Sequence, residues 1–321
     1  MNLQTYRWVT AGAQRAHSGP AHPGRMTSRH GFSGRRRHGA AAVVALLVLG
    51  GCGTATDRTS SPPVTSAATS ATVVSVGGVT DVSTYATWAD PRITESSSLT
   101  RVGDHLITVN DSGDPAVLYV STGTSGQITG TITYADAAPD DVEALATSPD
   151  GTIWVGDIGD NARARSTIVI YRLPPITQWD GDTTVTAQRY EFAYPDDAHD
   201  AETLLVQPDS GDLFVVTKDA SGGVVYAVPT LDATRTVTLE KVAQVAATVT
   251  DGVFDASGEH VLLRTYGEVT AYGYPGFQQV ATATLPAEPK GEGLTLGPDA
   301  GTYLTATEGA GTPVLRWRWS V

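Results

Sequence analysis

From Thr72 to the C-terminus the apolar positions fall in short runs, each bounded by Gly, Pro, Asp or Asn. No window of helical length repeats its apolar residues with a 3.6-residue period, so the pattern predicts strands and an all-β domain. The runs come in groups of four. One group holds Val142–Thr147, Ile153–Gly156, Thr167–Leu173 and Thr184–Tyr194, and the next holds Ala201–Gln207, Leu213–Lys218, Gly223–Val228 and Thr236–Ala246. The first group opens on Ile93–Leu99, the fourth on Thr248–Phe254 and the last on Gly291–Leu296. Each opening strand carries an acid, Glu95, Glu143, Glu202, Asp251 or Glu292, at intervals of 48, 59, 49 and 41 residues. Turn signals stand between first and second strands at matching places: SPDG (148–151), QPDSG (207–211), DASG (255–258) and GPDAG (297–301). Four strands per repeat at this period predict the blades of a β-propeller. The last group is one strand short, and Gly78–Trp88 is expected to complete it, closing the ring and removing free edges. The count is five four-stranded blades. Six is the alternative if Asp81–Arg101 hides more strands, and a β-sandwich accounts poorly for the repeats.

The N-terminus changes the picture of where this domain sits. Residues 1–51 carry seven Arg and no acid, with Arg35-Arg36-Arg37 leading into the apolar run Ala40–Leu49 and then Leu49-Gly50-Gly51-Cys52. This is the plan of an export signal, and Met26 would start one of conventional length. The apolar run falls short of the roughly 20 residues that span a bilayer. The tetrapeptide resembles the lipobox of bacterial lipoproteins, which implies cleavage before Cys52 and its acylation. Residues 53–71 are Ser, Thr, Ala and Pro with almost no large apolar side chain, the composition of a flexible tether. The expected organisation is a signal peptide over 1–51, a lipidated Cys52 with its tether over 52–71, and the propeller over 72–321. The expected address is the outer side of a bacterial cell membrane, touched through the anchor only. Cys52 is the one cysteine in the chain, so no disulfide can brace the folded part.

Charge narrows the partners. Beyond residue 51 the remaining 14 basic residues face all 34 acidic ones, a formal charge of −20. Such a surface repels phosphate backbones, which argues against nucleic acid, and it favours cations. A ligand or an envelope partner is expected for a monomeric domain.

Candidate chemistry concentrates on the acids. Asp141 and Glu143 are two residues apart on a strand and so share a face, as do Asp200 and Glu202. If opening strands line the channel, Glu95, Glu143, Glu202, Asp251 and Glu292 form a ring about the axis. A second set follows the second strands: Asp111 to Asp114 and Asp157 to Asp160 both read D-x-G-D, while Lys218 and Arg264 occupy the equivalent places. The candidate ligand-binding residues are therefore Glu95, Asp141, Glu143, Asp200, Glu202, Asp251, Glu292, Lys218 and Arg264. Clustered carboxylates must be protonated, paired or bound to a cation. Hard oxygen donors in this number suit Ca²⁺, with Asp111, Asp157, Asp160, Asn161, Glu143 and Glu202 as candidate ligands. The plainer readings are that the turn-flanking Asp residues cap backbone N–H groups and that the ring acids hydrogen-bond to neighbouring blades. His199, in PDDAHDAE, is the candidate general acid or base, whereas His105 and His260 read as surface residues. No nucleophile elbow, P-loop, zinc-protease or dinucleotide motif is present. Trp154, Trp179, Trp317 and Trp319 read as packing residues.

The stretches NDSGDPAVLYV, DDVEALATSPDGTIWVGDIGDN, YRLP, YPDDAHDAETLLV, VVTKD and TDGVFDASGEHVLLRTY together resemble a family of uncharacterised secreted bacterial β-propeller proteins, over about Thr94 to Gly309. More distantly, the acidic strand starts look like those of the calcium-dependent gluconolactonase and phytase-associated esterase-like propellers. That likeness implies a metal at the channel mouth and hydrolysis of an ester or lactone. Asp251-Gly252 and Ser97-Ser98 depart from the pattern. The expected function is binding of a ligand or partner at an acidic, cation-holding mouth, the alternative being a metal-dependent hydrolase of an ester, lactone or phosphoester.

Overall fold

The computed structural model describes residues 74–75, 78–111 and 113–320. The signal segment, Cys52 and the tether lie outside the described residues. Five antiparallel sheets of four strands stand around a central axis, a five-bladed β-propeller. Blade one opens on the inner strand Ser96–Val102, blade two on Val142–Thr147, blade three on Ala201–Val206, blade four on Asp251–Phe254 and blade five on Gly291–Leu296. Each inner strand neighbours the next, and the fifth neighbours the first. Among the described residues no helix is long and apolar enough to cross a membrane.

Ring closure follows the sequence expectation. Thr80–Thr87 pairs antiparallel with Pro313–Arg318 and supplies the outer strand of the last blade. The turn signals also hold. Gly151, Gly211, Gly258 and Gly301 adopt φ of 83°, 75°, 72° and 67°, a left-handed region where a Cβ is strained.

The core is divided among five hydrophobic clusters, one between each pair of neighbouring blades. Successive strand residues point to opposite faces, and both faces of every blade are covered by a neighbour. Inner strands are thus buried on both sides, as in Ala201–Val206, where all six residues are buried. This is why they read as continuous runs with no alternation. Trp154, Trp317 and Trp319 are buried in these layers, while Trp179 stacks on His105 at 4.3 Å between ring centroids.

Two expected strands are divided. Thr184–Tyr194 is Gly181–Thr186 followed by Gln188–Ala193, and Thr236–Ala246 is Val237–Thr238 followed by Glu240–Gln244. In each pair the first piece runs parallel to the outer strand of the preceding blade, and the second is the outer strand of its own blade. Val74–Ser75 does the same along blade four. The segment that leads into each of these outer strands thereby covers the outer edge of the preceding blade, in blades one, two and four, satisfying N–H and C=O groups that a bare edge would leave open. Ile93 and Thr94 precede the first inner strand, which begins at Ser96.

Candidate acidic metal centre at the channel mouth

The site is made by a recurring irregularity. In blades one, two, three and five the pairing of the inner strand with the second strand skips one residue. The skipped residues are Ser97, Glu143, Glu202 and Glu292. A bulge leaves its extra residue unpaired and turns its side chain away from the regular pleat. Blade four has no bulge: Asp251 faces Arg264 and Gly252 faces Leu263 in unbroken register.

Glu143 is the centre of the group. It is 3% exposed, and its Oε2 accepts a hydrogen bond of 2.6 Å from Ser97 Oγ of the preceding blade. Asp111, Asp141 and Glu143 bring one carboxylate oxygen each within 4.8 Å of the others. The D-x-G-D loop of blade two folds down on them. Gly159 N–H donates to the Asp141 carbonyl at 3.1 Å, and a Cβ on Gly159 would lie 2.5 Å from Asp141 Oδ2 and 2.8 Å from Glu143 Cγ. Only glycine lets this loop lie against both acids.

The next bulge is charge-compensated. Glu202 pairs with Lys218 Nζ, which also lies 3.7 Å from Glu292 Oε1 and over the Tyr266 ring. Glu202 Oε2 and Asp141 Oδ1 are buried and accept no hydrogen bond.

Two ionised carboxylates whose oxygens lie within 4.8 Å of each other repel by about 3 kcal/mol or more at an effective dielectric near 20. The titration follows from this and from burial. Burial, then the charges of Glu202 and Asp111, push Glu143 up to about 10. Burial lifts Glu292 to about 8, helped by Glu308 and Glu202 and opposed by Lys218. Burial also lifts Glu202 to about 7 against the pull of Lys218, and lifts Asp141 to about 6 with Asp111 and Asp200 adding to it. Burial works against the charge of Lys218, yet Glu202 holds its ammonium above the usual range. Three hard oxygen donors, from a group in which Asp141 also keeps a buried oxygen without a donor, fit a divalent cation that would replace the missing positive charge.

Other expected site residues are placed differently. Glu95 is exposed and lies ahead of the inner strand; Ser97 holds the bulge position that the other blades give to Glu. Asp157 Oδ1 pairs with Arg165 Nη1 at 2.9 Å and accepts the Asp141 N–H. Asp160 accepts the N–H groups of Ala164 and Arg165 at 2.9 and 2.7 Å, so it caps its own loop, and Asn161 is exposed. Asp200 Oδ1 accepts the Asp160 N–H at 2.8 Å, joining blades two and three.

Arg264 is 0% exposed and bonds to the carbonyls of Gly293 and Ala306 and to Glu288 Oε2, riveting blade four to blade five instead of facing a ligand. Asp251 is equally enclosed. It accepts from Leu294 N–H at 2.7 Å and Ser98 Oγ at 3.2 Å, and Ser98 Oγ in turn accepts the Leu145 N–H at 2.9 Å. Blades one, two, four and five are thus tied together at the waist of the channel. His199 Nε2 meets Asp196 Oδ1 and the Tyr226 hydroxyl, both at 2.9 Å, and its ring packs on Tyr194. None of these bonds is to the carboxylates of the mouth.

The candidate residues read from the sequence do not include Ser97 or Gly159. Aligning Leu99 with Leu145 puts Ser97 opposite Glu143, a signal that was present in the sequence. Comparison of the chain with protein-family models and with curated proteins gives no match.

Proposed function

We propose that the channel mouth binds a divalent cation, Ca²⁺ by its donor chemistry, through Asp111, Asp141 and Glu143, and that a ligand or envelope partner binds there. The single observation that carries this reading is the convergence of the Asp111, Asp141 and Glu143 carboxylates, one oxygen of each within 4.8 Å of the others. Oxygen-only donors favour Ca²⁺ over softer metals. Ser97 orients Glu143, and Gly159 lets the loop close over the acids. The domain is presented as a monomer outside a bacterial cell by the acylated Cys52, with the membrane met through that anchor only. The likeness to secreted bacterial propellers supports this address.

A second reading is favoured by Glu202. A carboxylate with a pKa of about 7 and a buried oxygen free of donors has the properties of a general base. A cation held beside it would polarise an ester, lactone or phosphoester and acidify a water. Calorimetric titration of the full-length chain with CaCl₂, alongside Glu143→Gln, tests the first reading. One saturable site in the wild type that the variant lacks is the expected result, and equal heats in both would overturn it. Turnover of an ester, lactone and phosphate panel that requires Ca²⁺ and disappears in Glu202→Gln would select the second.

A further inference from the structure

The acidic mouth occupies one end of the channel. At the other end, beyond the Ser98–Asp251–Leu294 waist, lies a chamber of about 570 Å³ lined by the last residues of all five inner strands and the turns that follow. Its volume falls among small-molecule sites, which run from about 300 to 1,000 Å³. Leu99, Leu145, Leu204 and Leu294 line it, one from each of four blades. Arg101 is the one cation among the lining residues. Its Nη1 and Nη2 donate to the carbonyls of Leu296 and Gly103, at 3.2 and 2.7 Å, each nitrogen keeping a second N–H, while its Nε–H is enclosed. Two carboxylates also line the chamber. Asp255 is already engaged by Ser257 and by His260, and Asp209 is exposed, its charge screened by solvent.

We propose that this chamber is a second binding site, independent of the cation site, for a small apolar organic acid. The apolar body packs among the leucines, and the carboxylate accepts from the second N–H groups of Arg101 Nη1 and Nη2. An apolar wall with one charged group that fixes orientation is the usual build of such sites. The guanidinium is already oriented by two backbone carbonyls, so little side-chain entropy is lost when it binds.

The test uses the full-length chain and the dye 8-anilinonaphthalene-1-sulfonate, itself an anion with an apolar body, as reporter, displaced by decanoate, decanol or decylamine. The expected result is one saturable dye site, with decanoate displacing the dye at about ten-fold lower concentration than decanol, the worth of one charge-assisted hydrogen bond. Arg101→Gln should remove that preference while leaving decanol within about two-fold, and Val253→Trp, which fills the chamber, should abolish dye binding. Thermal midpoints near wild type show that both variants fold. Decanol or decylamine equal to or better than decanoate on the wild type overturns the proposal without recourse to a variant. Dye binding that survives Val253→Trp in a folded protein overturns it as well. Calcium plays no part in the assay, so failure here leaves the mouth reading untouched.

Discussion

Replacing Glu143 by Gln separates stability from function at the mouth. Its carboxyl titrates near 4.5 in the unfolded chain and near 10 in the folded one, because it is buried beside Glu202, Asp111 and Asp141. The folded state therefore holds this proton more tightly. The associated stability is complete below pH 4.5 and is lost progressively as pH rises towards 10. Each pH unit costs about 1.4 kcal/mol, so by pH 7 the group has cost the fold up to about 3 kcal/mol. Gln keeps the acceptor for Ser97 Oγ and never ionises. Guanidinium unfolding at pH 7.5 in a chelator should find Glu143→Gln more stable than wild type by about 1–3 kcal/mol, and at pH 5 the two should nearly coincide. With Ca²⁺ at about 100 times its Kd, wild type should gain about 2.7 kcal/mol and the variant almost nothing. A variant less stable than wild type at pH 7.5 without calcium would refute the reasoning, since it would mean that the ionised Glu143 is held by structural partners.

Three further perturbations test the architecture. Lys218→Met leaves Glu202 and Glu292 without their shared cation and should cost about 2 kcal/mol in denaturant unfolding, less than a fully buried pair because Lys218 is partly exposed; adding Glu202→Gln should restore most of it. Ser98→Ala removes the donor to Asp251 and the acceptor of Leu145 N–H at the waist, so a loss of about 1–3 kcal/mol is expected by the same measurement. Gly291→Ala would put a Cβ 1.8 Å from Arg264 Nη2, which is enclosed and cannot retreat. It should destabilise by about 3 kcal/mol or yield insoluble protein, while Gly267→Ala, whose Cβ meets nothing, should leave solubility unchanged.

Much of the fold was legible because its signals are local. Strand runs, turn glycines and the four-strand period are written in contiguous residues, and the closing role of Thr80–Thr87 follows from counting strands. The division of Thr184–Tyr194 was not legible. Both halves are good strand sequence, and only the nearness of the outer strand of blade one draws Gly181–Thr186 away from blade two. At the site, the carboxylates of Asp141 and Glu143 do come together, though not on one pleated face: Asp141 precedes the strand and Glu143 sits in its bulge. Glu95 and Arg264 were misassigned, because position along a strand does not reveal a bulge or the closeness of the neighbouring blade.

The sequence alone determined the four-strand repeat, the turns and a surplus of acids at the starts of the inner strands, while the structure decided five blades over six. Hydrophobic runs and turn chemistry act over a few residues, and the charge is simple composition. Only the tertiary structure decided which acids meet. Bulges at Ser97, Glu143, Glu202 and Glu292 turn side chains towards the mouth, whereas the unbroken register at Asp251 ties it into the waist. Register and ring closure join residues as far apart as Ser98 and Asp251, and whether a carboxylate is paired, protonated or ready for a cation depends on the partners those distant contacts bring.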